Sequence, residues 1–97
     1  MDTQADIRVE ERDGRGRYVM AMPDGDEAYL TYARRDAGTI VIDYSFVPPQ
    51  FRGRGVAAIL ILRAVQDARE AKGRIVPTCG YVAAEFRRNK AWQDVLG

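Results

Sequence analysis

The chain has 97 residues, of which 46% are hydrophobic and 30% charged, and its net charge is +1. This size fits one domain, taken to span residues 1–97, and the balanced charge gives no reason to expect nucleic acid as a partner. The absence of histidine excludes Ser-His and Cys-His catalysis and histidine-containing metal sites. The single cysteine and the lack of an apolar signal core or membrane-length run predict a cytoplasmic protein without a membrane partner.

The first half of the chain predicts four short β-strands separated by turns rich in glycine and aspartate. The segments alternate and are rich in β-branched and aromatic residues, and they read IRVEE (7–11), RYVMAM (17–22), AYLTYARR (28–35) and TIVIDYSFV (39–47). The short turns between them predict an antiparallel meander. In the fourth strand, alternation places Asp43 and Ser45 on one face and Tyr44 and Phe46 on the other.

The second half changes character. The sequence is helical from about residue 54 to 72, RIVP (74–77) is a short strand, and YVAAEFRR (81–88) predicts a second helix before a closing segment, 91–97. Strand, helix and strand in this order predict a right-handed crossover that puts the fifth strand beside the fourth, in parallel. The predicted fold class is α+β, with a mostly antiparallel, mixed five-stranded sheet, a long helix after the fourth strand and another after the fifth.

The segment PPQFRGRGVA (48–57) begins a helix without a capping residue. The helix start therefore has unpaired N–H groups and a partial positive charge, to which Arg52 and Arg54 add. Gly53 and Gly55 let a ligand approach the backbone, so the pattern predicts a bound anion, most naturally a phosphate. It is neither a nucleotide P-loop nor a dinucleotide fingerprint. Two alternatives are a basic loop capped by water and a loop that touches nucleic acid.

VPPQFRGRGVA (47–57) resembles the coenzyme A signature of the GNAT superfamily of acyl-CoA N-acyltransferases, V-x-P-x-x-R-G-x-G at the end of the fourth strand. The order of the predicted elements over residues 5–90 is similar to the superfamily plan. The chain lacks the usual helices between the first two strands and the closing hairpin, so it resembles a minimal, short-chain subgroup.

The resemblance implies a site for acetyl-CoA or coenzyme A. Backbone amides from Arg52 to Ala57 would hold the pyrophosphate, which involves Arg52, Gly53, Arg54, Gly55, Val56 and Ala57. The backbone at Phe46 and Val47 would pair with the pantetheine arm, and the fourth and fifth strands would splay apart to admit it. The implied reaction is transfer of acetyl to an amine acceptor.

The sequence departs from the superfamily pattern at the position of the catalytic acid. The usual acid is a tyrosine on the helix after the fifth strand, and Phe86 falls at that position, while Cys79 falls where an asparagine is common. Tyr81 and Cys79 are the candidate substitutes. A helix beginning at Tyr81 would lower the pKa of the Cys79 thiol, which could protonate a leaving thiolate or accept an acyl group. The alternatives are a packing tyrosine and an inert buried thiol.

A general base is less clear from the sequence. Asp43 is the best-placed candidate, with Ser45 on the same predicted face and Glu85 on the last helix. Tyr44 and Trp92 either line an acceptor pocket or belong to the core. The resulting hypothesis is an acetyl-CoA-dependent N-acetyltransferase; the alternatives are a non-catalytic acyl-CoA-binding module and a small nucleic-acid-binding domain.

Overall fold

The computed structural model describes residues 6–97, so residues 1–5 of the predicted domain lie outside the described residues. The elements in chain order are β1 (Ile7–Arg12), β2 (Arg15–Ala21), β3 (Glu27–Arg34), β4 (Thr39–Phe46), α1 (Val56–Glu70), β5 (Arg74–Pro77) and α2 (Gly80–Arg88). Short 3-10 helices cover Pro49–Phe51 and Lys90–Val95. Within the described residues, no helix has the length and apolar character needed to cross a membrane.

The five strands form one sheet in the order β1-β2-β3-β4-β5. The first four pair antiparallel, and β5 pairs parallel with β4, which confirms the predicted α+β fold class. Asp13 and Gly14 both have positive φ, 55° and 78°, as a two-residue type I′ hairpin requires. This tight turn lets β2 begin at Arg15, two residues earlier than predicted.

A β-bulge interrupts the pairing of β3 with β4. Tyr32 pairs with Ile42 and Thr31 with Tyr44, so Asp43 is the extra residue. The predicted alternation is therefore wrong beyond Ile42, because an extra residue reverses the facing of every later side chain. Ser45 faces the helices, whereas Asp43 lies on the opposite, outer face of the sheet.

The hydrophobic core lies between one face of the sheet and the two helices. It is a single cluster that includes Leu30, Ile42, Leu60, Ile61, Ile75 and Phe86. Trp92 and Val95 of the closing 3-10 helix belong to the same cluster. The outer face of the sheet packs against no helix of the described chain. It carries ion pairs instead, such as Arg17 with Glu10 at 2.6 Å.

Candidate functional site

Helix α1 begins without a side-chain cap, as predicted. Its N-cap residue is Gly55, which has a left-handed backbone (φ 76°) and makes no capping bond. This conformation puts the helix start at Val56 rather than at Arg54. The N–H of Ile59 donates to the carbonyl of Gly55 (3.2 Å), so the preceding amides, those of Val56, Ala57 and Ala58, have no partner within the helix.

The two glycines of the signature directly precede these amides and have open space beside them. Gly53 and Gly55 have φ of 78° and 76°, a region that glycine occupies without strain. A Cβ added at either position would meet no atom within 4 Å. Unpaired helix-start amides next to open glycine backbone match the chemical needs of a phosphate group.

The two arginines of the signature play different parts. Nε of Arg52 donates a hydrogen bond to the carbonyl of Val47 (2.9 Å), so this side chain ties the loop to the end of β4. The guanidinium of Arg54 lies 5.7 Å from the centre of the Phe51 ring. Both residues are exposed. Neither side chain therefore replaces the missing helix cap.

A cleft of ≈ 370 Å³ opens from the start of α1 along β4 toward α2. It exists because the pairing of β4 with β5 stops at Ile42 and Pro77, while β4 continues to Phe46. The N–H groups of Thr78 and Cys79 both donate to the carbonyl of Ile42 (3.0 and 3.1 Å), and the chain then turns away into α2. This divergence is the one that the family resemblance implies. The lining residues are Tyr44, Ser45, Phe46, Val47, Phe51, Arg52, Gly53, Gly55, Val56, Ala57 and Tyr81.

The lining includes residues that the sequence did not assign to the cofactor site. Ser45 and Phe51 belong to it. Tyr44, for which the sequence allowed either a pocket or a core position, lies in the lining, and 51% of its surface is exposed. Ser45 turns inward only because of the bulge at Asp43, which has no signal in the sequence. Phe51 directly precedes the glycine motif, and its proximity to that motif is the one cue the sequence offered.

Cys79 lies beside this cleft at the start of α2. Its Sγ is 3.4 Å from Oγ of Ser45. Partial burial raises the pKa of the Cys79 thiol, but hydrogen bonds from Ser45 and from the backbone amides of Val82 and Tyr81 outweigh burial, and the pKa lies below its ordinary value. The thiol therefore packs partly against the hydrophobic core but has polar partners that favour its thiolate form.

Tyr81 and Phe86 occupy different environments on α2. Tyr81 lines the cleft and is 54% exposed, so it does not pack in the core. Phe86 is 1% exposed and meets the Trp92 ring edge-on at 5.5 Å. The ring at the position of the usual tyrosine acid is thus part of the core. The sequence allowed Trp92 either a core position or a place in an acceptor pocket, and in the structure it belongs to the core.

The candidate base Asp43 does not line the cleft. It accepts a hydrogen bond from Oγ1 of Thr31 (2.6 Å) and pairs with Arg15 (3.1 Å). The Thr31 bond, against a smaller opposing effect of burial and with help from Arg15, lowers the pKa of Asp43. The prediction that Asp43 shares a face with Ser45 is wrong, because the bulge separates them. Glu85 is paired with Arg88 on α2.

Comparison with known proteins agrees with this geometry. A family profile described as a GCN5-related N-acetyl-transferase matches residues 17–95. The chain belongs to this family. The resemblance on VPPQFRGRGVA is thereby confirmed, and acetyl transfer is the activity characteristic of the family.

Individual relatives support the same assignment for this GCN5-related chain. Protein NATD1 of Xenopus tropicalis is 32% identical over 91 residues, which cover 92% of this chain and 83% of the relative. A solution structure described as a GCN5-like N-acetyltransferase of Staphylococcus aureus superposes with a TM-score of 0.72 at 22% identity, over 96% of this chain and 90% of that one. The crystal structure of nourseothricin acetyltransferase gives 0.61 at 20% identity, over 78% and 49%. These two structures show the shared fold.

Proposed function

We propose that this protein transfers the acetyl group of acetyl-CoA to an amine. The observation that carries the proposal is the uncapped start of α1 beside two open glycines, at the head of a cleft between diverging strands. Phosphate at the helix start and an extended arm along β4 would account for both features.

The residues at the cleft fit coenzyme A. The amides from Arg52 to Ala57 would hold its pyrophosphate, and Arg52 would keep the loop in place through its bond to Val47. The free edge of β4 at Phe46 and Val47 would pair with the pantetheine arm as an added strand does. When bound, acetyl-CoA supplies the activated acetyl group as a thioester.

Two side chains at the far end of the cleft are our candidates for proton transfer. The Cys79 thiol, polarised by Ser45, has a proton to give to a leaving thiolate, and its thiolate form could itself accept the acetyl group. The Tyr81 phenol, exposed in the cleft, is the alternative acid. We assign no base role to Asp43, which is engaged by Arg15 and Thr31 outside the cleft lining.

Two measurements test this function in sequence. Calorimetric titration with coenzyme A should show saturable binding, and acetyl-CoA with a broad amine panel should release free thiol only when a suitable amine is present. Arg54→Ala is a useful control, because that exposed side chain stacks on Phe51 and its loss should leave most of the affinity intact. No binding by the parent protein would contradict the cofactor assignment.

A second candidate function is a non-catalytic acyl-CoA-binding module. The observation that favours it is Phe86, buried in the core at the position of the usual acid. It predicts the same coenzyme A binding but no amine-dependent thiol release. The amine panel therefore separates the two functions.

A further inference from the structure

The cleft continues onto the outer face of the sheet through three aromatic rings that contact one another at tilted angles. Tyr44 and Phe46 line the cleft, and the ring of Tyr29 lies 6.2 Å from that of Tyr44 and 5.5 Å from that of Phe46. We call these three residues the aromatic shelf. Tyr44 is 51% exposed, so it presents open ring surface. The shelf offers an aromatic contact surface at one side of the cleft.

The lining of the cleft beside the shelf offers an ammonium ion no acidic counterion. Among the described residues lining the cleft, Arg52 carries the charge and none is acidic. The carboxylates of the outer strands near the shelf are each paired with an arginine: Asp43 with Arg15, Glu10 with Arg17 and Glu27 with Arg8. Outside the lining, Asp24 and Asp26 both accept hydrogen bonds from the Gln50 amide. A cationic amine entering the cleft would meet an arginine and aromatic rings, with no carboxylate in the lining itself to hold it or remove its proton.

Arg17 also limits which ring is available on the shelf. Its guanidinium carbon lies 5.5 Å from the centre of the Tyr29 ring, so a cation already covers part of that ring. The exposed ring is Tyr44, directly beside the cleft lining at Phe46. An aromatic acceptor stacked on Tyr44 would carry its substituent toward the cleft.

Building on the proposed function, we infer that the acceptor is a weakly basic aromatic amine, whose ring stacks on Tyr44 and whose amino group is already neutral at neutral pH. The amine nitrogen forms a bond to the acetyl carbonyl carbon, and the bond from that carbon to sulfur breaks. The nitrogen loses one proton and the departing thiolate gains one. The products are an N-aryl acetamide and free coenzyme A, with no oxidant or further reactant.

The first test compares aniline with benzylamine, which differ by one methylene but are neutral and cationic, respectively, at neutral pH. Thiol release from acetyl-CoA should be faster with aniline at neutral pH, and the kcat/KM for aniline should not rise as pH rises. Any benzylamine activity should rise with pH in proportion to its neutral fraction. Faster benzylamine turnover at neutral pH would overturn the inference while leaving the proposed acetyl transfer in place.

The second test reads binding without turnover. Titration of the coenzyme A-bound protein with acetanilide, followed by NMR, should shift the signals of Tyr44 and Phe46. Tyr44→Ala should weaken acetanilide binding roughly three- to tenfold, since the interaction free energy of one aromatic pair corresponds to about that ratio of affinities. Tyr44→Phe keeps the ring and should bind as the parent does.

The outcomes separate this inference from the proposed function. Equal acetanilide affinity in Tyr44→Ala and the parent, or shifts confined to residues away from the shelf, would overturn the aromatic acceptor alone. Coenzyme A binding without acetylation of any amine would overturn both acetyl transfer and the acceptor class. The amide spectrum and thermal unfolding of Tyr44→Ala, compared with those of the parent, check that the variant is folded.

Discussion

Replacing Gly55 by alanine should weaken coenzyme A binding, in addition to the loss of folding stability that backbone strain at this position causes. The left-handed backbone at Gly55 costs an alanine about 1 kcal/mol of folding free energy. The added Cβ would occupy open space at a position that lines the cleft together with Val56 and Ala57. Loss of one charge-assisted hydrogen bond to a phosphate costs ~1.5–3 kcal/mol, which raises Kd by roughly ten- to a hundredfold.

Gly14 provides the matched control for this experiment. Its φ is 78°, and an added Cβ would likewise meet no atom within 4 Å, but it lies in the β1–β2 hairpin. Gly14→Ala and Gly55→Ala should lose similar stability in thermal unfolding. Isothermal titration calorimetry, run where both variants are folded, should show weaker binding for Gly55→Ala alone. Equal affinity in the two variants would refute a phosphate site at the start of α1.

Three further predictions concern Cys79, Asp43 and Gly73. Cys79→Ala should keep coenzyme A affinity and lose turnover; unchanged turnover would move the acid role to Tyr81. In the parent protein, iodoacetamide should alkylate Cys79 at a lower pH than it alkylates a free cysteine, because the pKa of the Cys79 thiol is lowered. Asp43→Asn should keep turnover, and a large loss of kcat would restore Asp43 as the base. Because the pKa of Asp43 in the folded protein lies below its ordinary value, the variant should be less stable than the parent at neutral pH. This difference in stability should vanish as pH falls through the lowered pKa. Gly73→Ala should destabilise the fold by about 1–3 kcal/mol in chemical denaturation, because its Cβ would lie 1.8 Å from the Gly38 carbonyl oxygen. Unchanged stability would contradict this close backbone approach.

The fold and the helix-start site were predictable because their signals are local. Asp13-Gly14 marks a hairpin through its tolerance of positive φ, and the run from Pro48 to Ala57 marks an uncapped helix through its lack of Ser, Thr, Asp and Asn. Order and direction of the strands follow from connection lengths. None of these inferences needs a contact between distant residues.

The side-chain arrangement beyond Ile42 was not predictable, because it depends on pairing between strands. A single extra residue at Asp43 decides that Ser45 faces Cys79 and that Tyr44 lies on the outer face. Alternation within one strand cannot reveal it, since a bulge is defined by the register with the partner strand. The exposure of Tyr81 and the burial of Phe86 likewise depend on how α2 packs.

A cofactor site at the start of α1 is tested most directly by an amide-resolved NMR titration of the labelled protein with coenzyme A. A pyrophosphate bound at this helix start should cause saturable shifts that are largest at the backbone amides of Gly53, Gly55, Val56 and Ala57. Absence of shifts, or shifts concentrated away from the start of α1, would contradict the claim that this helix start is the cofactor site.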